Sequence, residues 1–199
     1  VVDVPQDVAS HAAVVRKRAE GRPITVDAST HLVTVTVEEP SMEVPRGDAD
    51  RIRDALIAAE QLVGLAFDTP LLATVQKVLR AGDWTVTAAV HSSGQVNTVI
   101  GLWPGEKARI FGLAVDIGST TIAAHLCDLG SGRTVASAGT ANPQVRFGED
   151  LMSRVSYILM NPDALPKLTE AVRGAVGGLI DKVTGEAGIA ATDIVEAVF

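Results

Sequence analysis

Short β-branched runs interleaved with helical patterning predict a mixed fold, α+β passing into α/β, built as two modules. Three observations carry that expectation. Runs such as "THLVTVTVEEP" and "DWTVTAAVH" show strand chemistry, the stretch from residue 48 to 63 repeats apolar residues at helical spacing, and Gly, Pro and Asn clusters separate such segments. The length of 199 residues allows one substantial core or two small ones.

The elements follow in order. Residues 1–20 mix Pro, charges and scattered Val without a sustained period and read as a linker. From residue 21 the alternation of Leu32, Thr34 and Thr36 against Val33, Val35 and Val37 predicts a strand, which Pro40 ends. Asp48 or Asp50 is placed to cap a helix in which Ile52, Leu56, Ala59 and Val63 share one face and Gly64 marks the stop. Pro70 then opens a shorter helix through about Arg80, since a missing N–H costs nothing in a first turn. "DWTVTAAVH", the turn "SSG" and "QVNTVIGLW" make a hairpin, closed by "PGEK". These pieces form a small α+β module over residues 21–108.

The second module, residues 109–199, opens with a strand at 109–117, a tight turn, a strand at 120–128, the turn "LGSGR" and a third strand over "TVASAGTA". A helix at 149–160 follows, with Leu151, Met152, Val155, Ile158 and Leu159 on one face, broken by Asn161 and Pro162. Another helix runs from about 164 to 186, and a strand begins near Ile194. Lys167, Glu170, Arg173 and Asp181 exclude a membrane span for that Ala/Val-rich helix.

Composition narrows the function classes. The net charge of −7 opposes the broad phosphate-backbone contact that nucleic-acid binding needs. The N-terminus lacks the pattern of a signal peptide and no apolar run is long enough to span a bilayer, so the reading is a soluble cytoplasmic protein. Cys127 is the single cysteine, which excludes an internal disulfide and a four-thiolate iron–sulfur cluster held by this chain. His11, His31, His91 and His125 are dispersed without metal-ligand spacing and read as packed or solvated side chains. Trp84 and Trp103 read as core or rim packing, and Arg16, Lys17 and Arg18 as a solvated basic run.

The stretch with the most chemistry is "GLAVDIGSTT", residues 112–121. Asp116 stands where an apolar strand meets the surface. Gly118 lets the backbone turn tightly and approach a ligand. Successive N–H groups in such a turn make a concavity suited to phosphate oxygens, and Ser119, Thr120 and Thr121 add hydroxyl donors. Asp116 would repel phosphate directly, so its use in such a loop is to hold Mg²⁺ through water, an ion that prefers oxygen ligands and keeps much of its hydration. The same residues also fit an ordinary hairpin turn, with Asp116 capping it and the hydroxyl residues at strand positions. A Walker loop is excluded, because no lysine follows and the next element is a strand.

The order strand, DxGxTT, strand, turn, strand, then helices resembles the first half of the actin, Hsp70 and sugar-kinase ATPase fold, a ribonuclease-H-like architecture. Within it, the longer segment ending in "NPQVRFGEDLMSRVSY" is similar to the reductive activators of corrinoid proteins, as is the earlier "VTVEEPSMEVPRGDADRIRDAL". The resemblance runs from about residue 15 to the end. It implies that Gly118, Ser119, Thr120 and Thr121 surround the phosphates of ATP while Asp116 organises Mg²⁺ and the attacking water. It implies further that a [2Fe-2S] module, whose cysteines are absent here, supplies an electron, and that ATP hydrolysis helps return a partner corrinoid protein from Co(II) to Co(I). Arg146 would contact a phosphate or the partner. Glu149 and Asp150 would serve in the cleft or act as first-turn acids favouring the helix dipole.

The chain starts at Val1 and stops within the apolar run "TDIVEAVF", which predicts a piece of something longer, holding only part of the nucleotide cleft. Two other readings use the same residues. One is a small-molecule, sugar-type kinase of the same superfamily; the other is a non-catalytic docking or homodimerisation unit.

Overall fold

The computed structural model describes residues 26–94 and 96–199. The expected linker over residues 1–20, with His11 and the basic run at 16–18, lies outside them. The described chain divides into two compact units, residues 26–111 with 128–132 in one and residues 112–127 with 133–199 in the other.

The first unit is an α+β layer. Strand β1 (Thr30–Thr36) leads to helix α1 (Asp48–Glu60), the short strand β2 (Ala66–Phe67), helices α2 (Thr69–Leu72) and α3 (Val75–Ala81), and strands β3 (Thr85–Ser93) and β4 (Val96–Pro104). The sheet order is β1-β3-β4-β2, with β3 antiparallel to β1 and β4, and β2 parallel to β4. The period of two in β1 decides its faces. Val33, Val35 and Val37 are buried against Ile52 and Leu56 of α1 and Leu79 of α3, while Thr34 and Thr36 on the other face bond Thr87 and Thr85 across the ladder at 2.8 and 2.9 Å. Each fully buried Ile or Leu of this kind contributes about 1.5–3 kcal/mol relative to exposure.

Two expectations for this unit are corrected. Helix α1 has Gly47 as its N-cap, with Asp48 and Asp50 in the first turn, and Gln61 ends it in a left-handed conformation before Gly64 is reached. The apolar face therefore stops at Leu56: Ala59 is exposed and Val63 is fully exposed. The helix opened by Pro70 is broken, since α2 ends at Leu72 and α3 begins at Val75; Thr74 spends its hydroxyl on the Leu71 carbonyl at the break.

The second unit contains β5 (Phe111–Ile117), β6 (Thr121–Asp128) and β7 (Arg133–Ala141), then a 3₁₀ turn (Pro143–Phe147), α4 (Leu151–Met160), α5 (Leu165–Ala187) and β8 (Ile194–Val198). The sheet order is β7-β6-β5-β8. Neighbouring strands joined by three or four residues must run antiparallel, because a parallel pair needs a long crossover. The chain from β7 passes through α4 and α5 before β8, which lies beside β5. Leu113, Val115, Ile122, Ala124 and Leu126 are buried in the sheet, and α5 packs on β7 and buries Leu168, Leu179 and Val183. Among the described residues no helix is long and apolar enough to cross a membrane.

The apolar residues of helix α4 share a face, and that face is turned outward: Leu151, Met152 and Leu159 are each more than two-thirds exposed. The residue the helix buries is Arg154, only 6% exposed.

Candidate functional site

The turn between β5 and β6 is the segment 118–120. Gly118 donates its N–H to the Thr121 carbonyl at 2.9 Å, which closes the turn. A Cβ at position 118 would lie 2.9 Å from that same carbonyl oxygen, so the close approach itself requires glycine. Asp116 is exposed at the end of β5, Ser119 and Thr120 are exposed, and Thr121 is half-buried. The structure thus brings together the sequence-predicted residues Asp116, Gly118, Ser119, Thr120 and Thr121 at one strand end.

Residues far along the chain hold this turn from behind. Asn142, 2% exposed, donates its backbone N–H to the Thr120 carbonyl and its Nδ2 to the Gly118 carbonyl, both at 2.8 Å. Its Oδ1 accepts from the Gln144 N–H at 2.9 Å, making Asn142 the N-cap of the 3₁₀ turn. Arg154 reaches from α4 with Nη2 to the Ser119 carbonyl, Nε to the Gly148 carbonyl at 2.8 Å and Nη1 to Gln144 Oε1 at 3.3 Å. Gln144 is in turn anchored through Nε2 to the Leu168 carbonyl at 3.0 Å. The carbonyls of Gly118, Ser119 and Thr120 are therefore all committed to one side.

That commitment fixes the donors. In a trans peptide the C=O and the following N–H point in opposite directions, and no cis bond occurs among the described residues. Pulling the Gly118 and Ser119 carbonyls toward Asn142 and Arg154 sends the N–H groups of Ser119 and Thr120 to the opposite side. They face the same way as a nest of donors would, beside exposed hydroxyl residues. Such a surface suits the oxygens of a phosphate. Asp116 places an exposed carboxylate at the rim of that surface. No cluster of three or more metal-ligating side chains occurs among the described residues.

The remaining candidates fall outside this arrangement. Arg146 is exposed and stacks its guanidinium 4.7 Å from the centre of the Phe147 ring. Asp150 is the N-cap of α4: its Oδ1 accepts from the Ser153 N–H at 2.7 Å, and its own N–H donates to Ser153 Oγ at 3.1 Å. Those bonds to Ser153, backbone first, hold its carboxyl below the usual carboxylate range. The acid read as serving the cleft or the first turn is thus taken by the cap, and Glu149 is exposed one residue earlier. His125 is hydrogen-bonded to Ser137 at 2.8 Å, and Cys127 is half-buried near Thr134, so both are packing residues of β6. Asn142, Gln144 and Arg154 are the site residues that sequence reasoning passed over. A signal existed for one of them: Arg154 is the single charge inside the apolar run "LMSRVSYILM".

The fold defines the class: a small α+β module leading into an actin-like domain. Two family models cover nearly all of it, the RACo linker region over residues 19–109 and the RACo middle region over residues 111–199. The chain belongs to that family, the reductive activators of corrinoid proteins. It is 34% identical over 105 residues to the corrinoid activation enzyme RamQ of Eubacterium limosum, which is 52% of this chain and 18% of that protein. A solved structure described as a reductive activator for corrinoid, iron-sulfur protein is 30% identical, with a TM-score of 0.71 over 89% of this chain and 28% of that one. The chain spans less than a third of the length of either relative.

Proposed function

We propose that this chain supplies one wall of the ATP site in an activator that returns a corrinoid protein from Co(II) to Co(I). The observation that carries the reading is the tying back of the Gly118, Ser119 and Thr120 carbonyls by Asn142 and Arg154, which presents N–H and hydroxyl donors on the other side. The corrinoid partner is drawn from the descriptions of the two relatives.

In this reading the N–H groups of Ser119 and Thr120 and the hydroxyls of Ser119, Thr120 and Thr121 bind phosphate oxygens. Asp116 holds Mg²⁺ through water and, with it, orients the water that attacks. The ion's chemistry when bound is to neutralise charge on the phosphates as the bond to the terminal one breaks. The products are ADP and inorganic phosphate. The electron that reduces cobalt comes from a carrier elsewhere in the protein, since the one cysteine here, Cys127, does not fit a four-thiolate cluster.

The test is corrinoid-dependent ATP hydrolysis by the intact protein, with and without Asp116→Ala. We expect hydrolysis to fall by about 10²-fold or more, the scale for losing a group that organises charge in the transition state. Thermal stability should change little, because Asp116 is an exposed strand-end residue. Undiminished hydrolysis in the variant would remove Asp116 from this role.

A further inference from the structure

Arg154 carries a buried charge. It is 6% exposed, and its hydrogen-bond acceptors are all neutral: the Ser119 and Gly148 carbonyls and Gln144 Oε1. Among the described residues no carboxylate lies within salt-bridge distance of it. The acid that interacts with its charge, Asp150, lies one turn away at the N-cap of the same helix, and its carboxylate accepts from Ser153. Burying an unpaired charge is costly, and a buried Lys or His can escape by losing its proton. Arginine cannot, because its guanidinium holds its proton under all ordinary conditions. A hydrophobic side chain of similar length would fill the same space on α4 at lower cost, so packing alone does not account for a guanidinium there.

The position of the charge suggests its use. Nη2 bonds the carbonyl end of the Ser119–Thr120 peptide, whose N–H end points to the opposite side. A cation on the carbonyl polarises the peptide and makes that N–H a stronger donor, in the way linked hydrogen bonds reinforce one another. The same bond fixes the peptide plane. Gly148 lets the chain pass close to the start of α4: a Cβ there would lie 2.6 Å from Ser153 Oγ and 2.8 Å from the Arg154 backbone nitrogen.

We propose that Arg154 is a positioning residue for the phosphate chain of the nucleotide, acting through the Ser119–Thr120 peptide. The inference rests on the phosphate-loop reading above and deepens it. It predicts an effect on the phosphate part of the ligand and none on the nucleoside part.

The experiment measures how ATP with Mg²⁺ and, separately, adenosine displace a fluorescent adenine nucleotide from the intact protein. It is run on the wild type, Arg154→Met and Arg154→Lys. Arg154→Met should lose at least about tenfold of the preference for ATP over adenosine, with adenosine affinity held within about twofold, the scale of a lost charge-assisted contact. Arg154→Lys keeps the charge but cannot span the same acceptors, and should lose about threefold. Wild-type preference in Arg154→Met overturns the proposal, as does equal weakening of both ligands. Should Arg154→Met fail to fold, undiminished preference in Arg154→Lys overturns it instead. A wild type with no preference for ATP over adenosine sinks the phosphate-loop reading itself, which keeps the two failures apart.

Discussion

Two hairpins in this chain look alike in sequence and differ in construction. The β3–β4 turn places Gly94 in the left-handed region at φ 62°, and a Cβ there would meet nothing within 4 Å. The β5–β6 turn has no left-handed residue over 118–120, yet its glycine is pressed against the Thr121 carbonyl, and residues 142 and 154 hold its backbone. The first turn carries a left-handed glycine in open space. The second is specified from 24 and 35 residues away, an investment that an ordinary turn between two strands does not require. A turn braced on its carbonyl side has its donors set in advance, which is the property a phosphate site needs.

The largest way to break this contrast is Gly118→Val. A side chain there forces the Thr121 carbonyl away and opens the turn, so ATP affinity of the intact protein should fall by about 10²-fold or more as the donors lose their alignment. Asn142→Asp should come next. It keeps Oδ1 for the Gln144 N–H but puts an oxygen against the Gly118 carbonyl, leaving a buried acceptor facing an acceptor. Chemical denaturation should show a loss of about 1–3 kcal/mol, and calorimetry a fall in ATP affinity. Wild-type affinity in a folded Asn142→Asp protein would show that the brace serves stability alone.

How much of this was legible in the sequence differs between the two hairpins. The valines of β1, the β3–β4 hairpin and the glycine and hydroxyl residues of the β5–β6 turn all follow from periods and turn chemistry that span a few residues. The brace does not, because Asn142 meets Gly118 only after β6 and β7 have returned the chain to the same sheet end. Helix α4 is a related case. The sequence shows that its apolar residues share a face, and only the tertiary arrangement shows that Arg154 is the residue turned in and the apolar side turned out. The cap Asp150–Ser153 was local and within reach, yet the acid was read as serving the cleft or the helix dipole, since a carboxylate beside a phosphate motif serves either reading.

A smaller effect is expected at Asp128, in the first unit. Its Oδ2 accepts from Arg109 Nε at 2.5 Å, and its Oδ1 accepts from the Ser131 N–H and hydroxyl at 2.8 and 3.0 Å. Burial raises its pKa, but the Arg109 bond and the two from Ser131 outweigh that and hold the carboxyl below 3.8. With the folded pKa depressed, its contribution is present above the unfolded value and is lost as pH falls below 3.8 through the folded value. Asp128→Asn should therefore lower the melting temperature at pH 7 and flatten its fall in acid, while ATP affinity stays at the wild-type value. Arg109 is half-exposed, so the pair itself is worth about 1 kcal/mol or less.

The smallest effect sharpens the comparison from the other side. Gly94→Ala places an L side chain at φ 62° in open space, so the cost is the left-handed conformation alone, about 1–2 kcal/mol. Nothing beyond the turn depends on that residue, and the change should appear as a modest drop in melting temperature with ATP affinity intact. Gly118→Ala, the matching change in the braced turn, should reverse the pattern: its loss registers chiefly in ATP affinity, because its Cβ meets the Thr121 carbonyl at 2.9 Å and not a forbidden φ. Measured side by side, the two alanines separate a turn that only connects strands from one whose backbone is held in place for a ligand. Equal losses of ATP affinity in both would erase the distinction.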